Sequence, residues 1–108
     1  MSKLAIPNQV RTQVDEIVQS FNARTFNNTR RYYDTRYRGA YVYFDRYHVN
    51  AINKVFRLEY TGNFDDWKFA VYKHSTQSYD ANEWFFPGAG HVNGTIEGAL
   101  KAGLEAYP

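Results

Sequence analysis

The sequence predicts a two-layer α+β fold, in which an N-terminal and a C-terminal helix pack on one face of a four-stranded antiparallel β-meander (order α-β-β-β-β-α). Three observations predict it: apolar residues recur at helical spacing near both ends, apolar and polar residues alternate between 29 and 74, and only short connections separate the alternating runs. Parallel strands need crossovers of about a dozen residues or more, so short connections favour antiparallel pairing. With 108 residues, we expect residues 1–108 to form a single domain.

The first helix is expected to run from Pro7 to about Arg24. Proline suits the first helical turn because its missing N–H would have no intrahelical partner there. The apolar residues at helical spacing are Val10, Val14, Ile17, Val18 and Phe21. This stripe predicts that the helix packs against the sheet.

The last helix is predicted from Thr95 to Tyr107, with Asn93 or Thr95 as its N-cap. Its apolar stripe includes Gly103, and close approach to the sheet or to the first helix explains a glycine there. Gly98 lies on the opposite side of the helix, where no packing contact is expected to explain it.

Four strands are expected at Arg30–Arg38, Ala40–His48, Lys54–Thr61 and Trp67–His74, with a short connection at Asn50–Asn53 and a polar loop at Ser75–Asn82. Alternation directs one set of side chains towards the helices: Tyr33, Thr35, Tyr37, Ala40, Val42, Phe44, Phe56, Leu58, Tyr60, Trp67, Phe69 and Val71. The opposite face receives Tyr32, Asp34, Arg36, Arg38, Tyr41, Tyr43, Asp45, Tyr47, Val55, Arg57, Glu59, Lys68, Ala70 and Tyr72.

Composition narrows the classes of function. The chain has no cysteine, which excludes disulfides, thiolate metal sites and cysteine nucleophiles. Met1–Pro7 lacks the apolar core of a signal peptide, and no apolar run approaches the roughly 20 residues that a membrane-spanning helix needs. We therefore expect a cytoplasmic protein that does not enter a membrane.

The net charge of +2 conceals an asymmetry along the chain. Residues 1–57 hold ten Lys/Arg and four Asp/Glu, a net +6, whereas residues 58–108 hold three and seven, a net −4. Such a division is typical of a basic binding face or of head-to-tail self-contact. Pairing of basic with acidic strands inside one sheet explains it equally well.

Tyrosine and arginine interleave between residues 24 and 47. The candidate binding residues from this stretch are Arg30, Tyr32, Arg36, Arg38, Tyr41, Tyr43 and Tyr47. Flat rings that stack on bases, beside guanidinium groups that contact phosphates, are typical of single-stranded nucleic-acid binders. Cross-strand tyrosine ladders covered by arginine stems are the structural alternative.

A second candidate is the loop before the last helix, with Gly88, Gly90, His91 and Asn93 as its candidate residues. It leads into a helix N-terminus, which favours anions. The Lys-Ser/Thr pair of a phosphate-binding loop is missing, so a flexible turn that redirects the chain is the favoured interpretation.

The three histidines, His48, His74 and His91, show no metal-ligand spacing, so we expect no metal and no cofactor. An active site is considered only where His91 meets Glu83 or Asp80, or where His74 meets a carboxylate. Trp84, Phe85 and Phe86 cannot all point the same way. We expect Trp84 to pack in the core, and an exposed ring in this segment would mark a partner or ligand site.

Three functions follow from these observations. The first is a binding or protein-interaction module without catalysis, whose partner is another protein or a second copy of the chain. The second is single-stranded nucleic-acid binding through the tyrosine and arginine residues. The third is a small enzyme with its site near the Gly88–Gly94 loop. The sequence favours the first, because aromatic residues make up 19% of the chain and catalytic patterns are missing.

Overall fold

A computed structural model describes residues 5–26 and 30–108 and has the predicted α+β fold with one additional strand. The elements, in chain order, are α1 (Asn8–Thr25), β1 (Arg31–Arg38), β2 (Tyr41–His48), β3 (Ala51–Glu59), β4 (Lys68–Lys73), β5 (Ser78–Asp80), a 3-10 turn (Ala89–His91) and α2 (Ile96–Ala106). The strands form one antiparallel sheet in the order β1-β2-β3-β4-β5. Within the described residues, no helix has the length and apolar character needed to cross a membrane.

The core lies between the two helices and the face of the sheet predicted to point inward. Phe56 is at its centre, stacked between Phe44 and Phe69 at ring-centroid distances of 4.5 and 5.0 Å. The helices contribute Val14, Val18, Phe21, Ile96, Ala99 and Leu100, all buried. Full burial of each large apolar side chain stabilises the fold by about 1.5–3 kcal/mol, so this layer holds the helices on the sheet.

The predicted orientation of Val55 was wrong. The register between β2 and β3 shifts after Phe44, so that Phe44 pairs with Phe56 whereas Asp45 pairs with Lys54. Val55 is the extra residue of this bulge, and it is fully buried in the core. The bulge interrupts the strict alternation on which the prediction rested.

The additional strand, β5, lies in the segment predicted to be a polar loop. Gln77 has φ +52° and completes a turn after β4. This turn allows Ser78, Tyr79 and Asp80 to pair with Lys73, Tyr72 and Val71. The sequence did not indicate this strand because its three residues include only one with strong strand preference.

The N-terminal helix also covers the free edge of β1. The Asn22 side chain donates to the Tyr33 carbonyl oxygen at 3.0 Å and accepts from the Tyr33 N–H at 2.8 Å. Unpaired strand edges invite association with other chains, and here a side-chain amide satisfies part of that edge.

Candidate functional site

The face of the sheet opposite the helices carries six of the seven predicted binding residues, namely Tyr32, Arg36, Arg38, Tyr41, Tyr43 and Tyr47. We call it the open sheet face. Arg30 lies in the exposed turn before β1. The face also carries Lys54, Arg57, Tyr72 and Tyr79, which the prediction did not include among the binding residues. Of these four residues, only Tyr79 lies on a strand that the sequence did not indicate.

The rings of the open sheet face pack against one another. Tyr43 lies 6.1 Å from Tyr41 and 5.3 Å from Tyr79, and Tyr79 lies 5.1 Å from Tyr72, measured between ring centroids. The Arg57 guanidinium carbon lies 4.5 Å from the Tyr41 ring centroid and 5.5 Å from that of Tyr79. These contacts form the structural alternative, a cross-strand ladder of rings with arginine groups over their faces.

Arg36 is bound to a buried carboxylate. Its Nε and Nη2 atoms donate to the two Asp45 carboxylate oxygens at 2.6 and 3.1 Å, and Asp45 is buried. This hydrogen bond raises the pKa of Arg36. The fork of Arg36 is therefore occupied, whereas Arg38 is exposed and forms no ion pair with any of the described residues.

Two features of the open sheet face remain accessible to a ligand. Tyr32 and Tyr47 form a half-buried pair of stacked rings, 4.9 Å apart and inclined by 20°. A cleft of about 430 Å³ lies nearby, lined by Arg36, Tyr37, Arg38, Tyr43, Lys54 and Tyr79. A cationic cleft beside stacked rings can accept a flat anionic ligand.

The segment Trp84–Pro87, which we call the aromatic segment, is the most exposed apolar feature among the described residues. Phe85 is fully exposed, with a relative accessibility of 101%, and Trp84 is 51% exposed. The expectation that Trp84 packs in the core is wrong, because Phe86 occupies the space over Phe69 at 5.7 Å and leaves Trp84 at its edge, 6.3 Å from Phe69. The four residues line an open cleft of about 400 Å³.

Polar contacts hold the aromatic segment in place. Glu83 accepts a hydrogen bond from the Phe85 N–H at 2.7 Å and one from the Lys73 ammonium at 3.0 Å. Both hydrogen bonds lower the pKa of Glu83, and the bond from Lys73 has the larger effect. Phe85 is therefore displayed on a backbone that is anchored to β4.

The Gly88–Gly94 loop packs against α2, and side-chain oxygens already accept from N–H groups at the start of that helix. Gly88 has φ +96°, and a Cβ there would lie 2.6 Å from the Ala102 carbonyl oxygen. Asn93 Oδ1 accepts from the Thr95 N–H, and Thr95 Oγ1 accepts from the Gly98 N–H. The last of these contacts identifies Thr95 as the N-cap of α2. The donors that would bind a phosphate at this helix N-terminus are thus partly used by Asn93 and Thr95.

The histidines do not meet the expected carboxylates. His91 lies 3.1 Å from Glu105 rather than near Glu83 or Asp80, and both partners of this pair are exposed. His74 contacts the rings of Tyr72 and Tyr107 at 5.0 and 5.3 Å. An exposed pair outside a water-excluding pocket has little of the environment that tunes an acid–base catalyst. In residues 5–26 and 30–108, no group of three or more metal-ligating side chains comes together.

Comparisons with protein-family models, with curated proteins and with solved structures gave no match. The function must therefore be inferred from the geometry of these surfaces.

Proposed function

We propose that this chain is a protein-binding module without catalysis of its own, and that the aromatic segment is its contact surface. The observation that carries the proposal is the full exposure of Phe85 beside a half-exposed Trp84. Water-exposed aromatic clusters are uncommon on proteins that act alone, and they mark interaction sites.

The energetics support binding at this position. Burying a phenylalanine ring contributes about 1.5–3 kcal/mol, and aromatic side chains are enriched among the residues that dominate protein interfaces. The hydrogen bond from the Phe85 N–H to Glu83 and the stacking of Phe86 on Phe69 already order the backbone. The entropy cost of fixing this segment on binding is therefore small.

Replacement of Phe85 tests this function. Phe85→Ser removes the exposed ring, and Ile52→Ser is the matched control because Ile52 is an exposed apolar residue on β3, outside the aromatic segment. We expect Phe85→Ser to leave the unfolding midpoint unchanged and to abolish self-association in sedimentation velocity, or the retention of partner proteins in a quantitative pull-down. Ile52→Ser should retain both. A wild-type chain that stays monomeric and retains the same proteins as Phe85→Ser would contradict the proposal.

Single-stranded nucleic-acid binding is the second candidate, and the accessible Tyr32–Tyr47 pair beside the cationic cleft favours it. Each base stacked on an aromatic ring contributes about 1–3 kcal/mol, and contacts to phosphate make binding salt-dependent. Arg38, which is exposed at the cleft, would supply such a contact.

Arg38→Ala tests the second candidate. With a labelled single-stranded oligonucleotide at low salt, we expect fluorescence anisotropy to show weaker binding and a smaller salt dependence, by about one phosphate contact. Arg24→Ala, which removes an exposed arginine from α1, should have no effect. Absence of any anisotropy change for the wild-type chain at low salt would remove this candidate.

A further inference from the structure

A cavity of about 370 Å³ lies where the β2–β3 hairpin meets the C-terminal segment, away from the aromatic segment. Its walls are formed by Arg46, His48, Asn53, Val55, His74, Tyr107 and Pro108. This volume is near the lower end of the range of about 300–1,000 Å³ that is usual for small-molecule sites. The cavity therefore has room for a small organic molecule.

Arg46 is a buried cation in the wall of this cavity. It is the cross-strand neighbour of Tyr33 on the helix side of the sheet, and it is 4% exposed. Its guanidinium carbon lies 4.3 Å from the Tyr33 ring centroid, and Nη1 donates to the Tyr107 carbonyl oxygen at 2.7 Å. Its Nε and Nη2 atoms are buried and have no hydrogen-bond partner in the described part of the chain.

A second arginine adds positive charge at the same place. Arg31 pairs with His48 across β1 and β2, and both Arg31 and Arg46 lie over the Phe26 ring, at 5.0 and 5.4 Å. The Arg31 Nε atom is also buried without a partner among the described residues. No carboxylate in residues 5–26 and 30–108 forms an ion pair with either arginine.

A buried charge without a counter-charge is costly, and so is a buried donor without an acceptor. Burial lowers the pKa of Arg46, as expected for a cation that lacks an anionic partner. An anion from outside the chain would compensate both costs. Because the unpartnered atoms are screened from water, side chains of the cavity wall must shift for such an anion to reach them.

The other walls define the rest of the ligand. Asn53 is the cross-strand neighbour of Arg46, and its amide, like the His48 ring, can donate to an oxyanion. Val55 and Tyr107 supply an apolar and an aromatic wall. We propose that this cavity binds a small organic oxyanion, a phosphate or carboxylate carried on a flat apolar body, with its charged group at Arg46.

The test uses three small probes with one phenyl ring in common. Phenyl phosphate and benzoate carry the two oxyanions, and benzamide is the neutral control. Followed by NMR titration of the wild-type chain, the two anions should shift the resonances of His48, Asn53 and His74, with dissociation constants in the micromolar to millimolar range. Benzamide should cause no such shift, and the stronger of the two anions identifies the head group.

Two variants separate this site from nonspecific charge. Arg46→Met keeps an apolar side chain in the buried position and should weaken anion binding by about tenfold to hundredfold, since hydrogen bonds to charged groups are lost. Arg24→Met makes the same substitution at an exposed arginine and should leave binding unchanged. If Arg46→Met does not fold, Asn53→Ala serves as the test variant in its place. Asn53 is exposed, and its replacement should weaken anion binding severalfold.

Absence of shifts with both anions, or shifts that benzamide reproduces, would overturn the proposal. Anion binding that is unchanged in Arg46→Met would also overturn it. If Arg46→Met is unfolded, unchanged anion binding in Asn53→Ala would do the same.

Discussion

At the scale of single residues, the polar groups that hold the two layers together include two tyrosines on β1. The Tyr33 hydroxyl is buried and donates to the Leu100 carbonyl oxygen at 2.7 Å, which connects the sheet with α2. The Tyr37 hydroxyl donates to Asp15 at 2.6 Å, which connects the same strand with α1. Each bond requires the tyrosine to keep its proton, so the layer contact depends on pH.

The stability of the fold should therefore decrease in alkaline solution. Burial raises the pKa of Tyr33 to about 12, and burial together with the hydrogen bond to Asp15 also raises the pKa of Tyr37. An unfolded tyrosine ionises near pH 10. The folded state holds the proton more tightly, so the stability that Tyr33 contributes is fully present below pH 10 and is lost as the pH rises towards 12. The loss is about 2–3 kcal/mol for Tyr33.

Urea unfolding at a series of pH values from neutral to about 11.5 measures this loss, since the window lies between the unfolded and folded pKa values. Tyr33→Phe should be less stable at neutral pH by about 1 kcal/mol, because a hydrogen bond is lost, and should lose less stability at high pH. An unfolding free energy of the wild-type chain that does not fall above pH 10 would show that the Tyr33 proton does not couple to folding.

At the scale of elements, α2 is shaped by two glycines that face different neighbours. A Cβ on Gly103 would lie 2.7 Å from the Tyr33 hydroxyl and 2.8 Å from the Phe56 ring, as its position on the apolar stripe predicts. A Cβ on Gly98 would lie 2.5 Å from the His91 carbonyl oxygen and would also contact Asn93. The side of α2 that was expected to lack packing contacts is therefore covered by the Gly88–Gly94 loop.

Alanine at either glycine should destabilise the fold. Alanine is favoured over glycine in a helix by about 1 kcal/mol, but overpacking costs about 1–3 kcal/mol. We expect the overpacking to dominate in Gly98→Ala and Gly103→Ala, measured by urea unfolding. Gly90→Ala is the control, because a Cβ there has nothing within 4 Å. Increased stability of Gly98→Ala would show that the loop does not pack on α2 in this way.

The elements also show which parts of the fold could be predicted from sequence. Periodicity places both helices to within a residue or two, because it reports burial of one face directly. It could not predict the start of β3, because the β2–β3 turn is Val49–Asn50, both with positive φ, and valine is uncommon in that conformation. It also missed the burial of Val55, which depends on pairing between strands distant in sequence.

Long-range packing likewise limits the prediction of the candidate surfaces. Apart from Tyr79 on β5, the tyrosines of the open sheet face could be predicted by alternation alone. The exposure of Trp84 could not be predicted in this way, because it depends on Phe86, rather than Trp84, stacking on Phe69. Arg46 could be placed on the inner face by the same alternation, but its missing counter-charge is visible only in three dimensions.

At the scale of the whole molecule, one small fold carries three surfaces of different chemistry. The aromatic segment is apolar and exposed, the open sheet face is tyrosine-rich and cationic, and the Arg46 cavity is open to solvent with a buried cation in its wall. Covering the exposed rings of the aromatic segment with a partner would lower the free energy, because apolar surface is removed from water. The tyrosines of the open sheet face, in contrast, already contact one another. For this reason protein binding through the aromatic segment is the central proposal.

Site-specific photo-crosslinking tests that proposal most directly. A photoreactive phenylalanine analogue at position 85 keeps the size and exposure of the ring, and the same analogue at position 52 probes another exposed apolar site. The proposal predicts that position 85, but not position 52, forms a crosslink of discrete mass, either to a second copy of the chain or to one partner protein. No crosslink from position 85, or the same products from both positions, would contradict it.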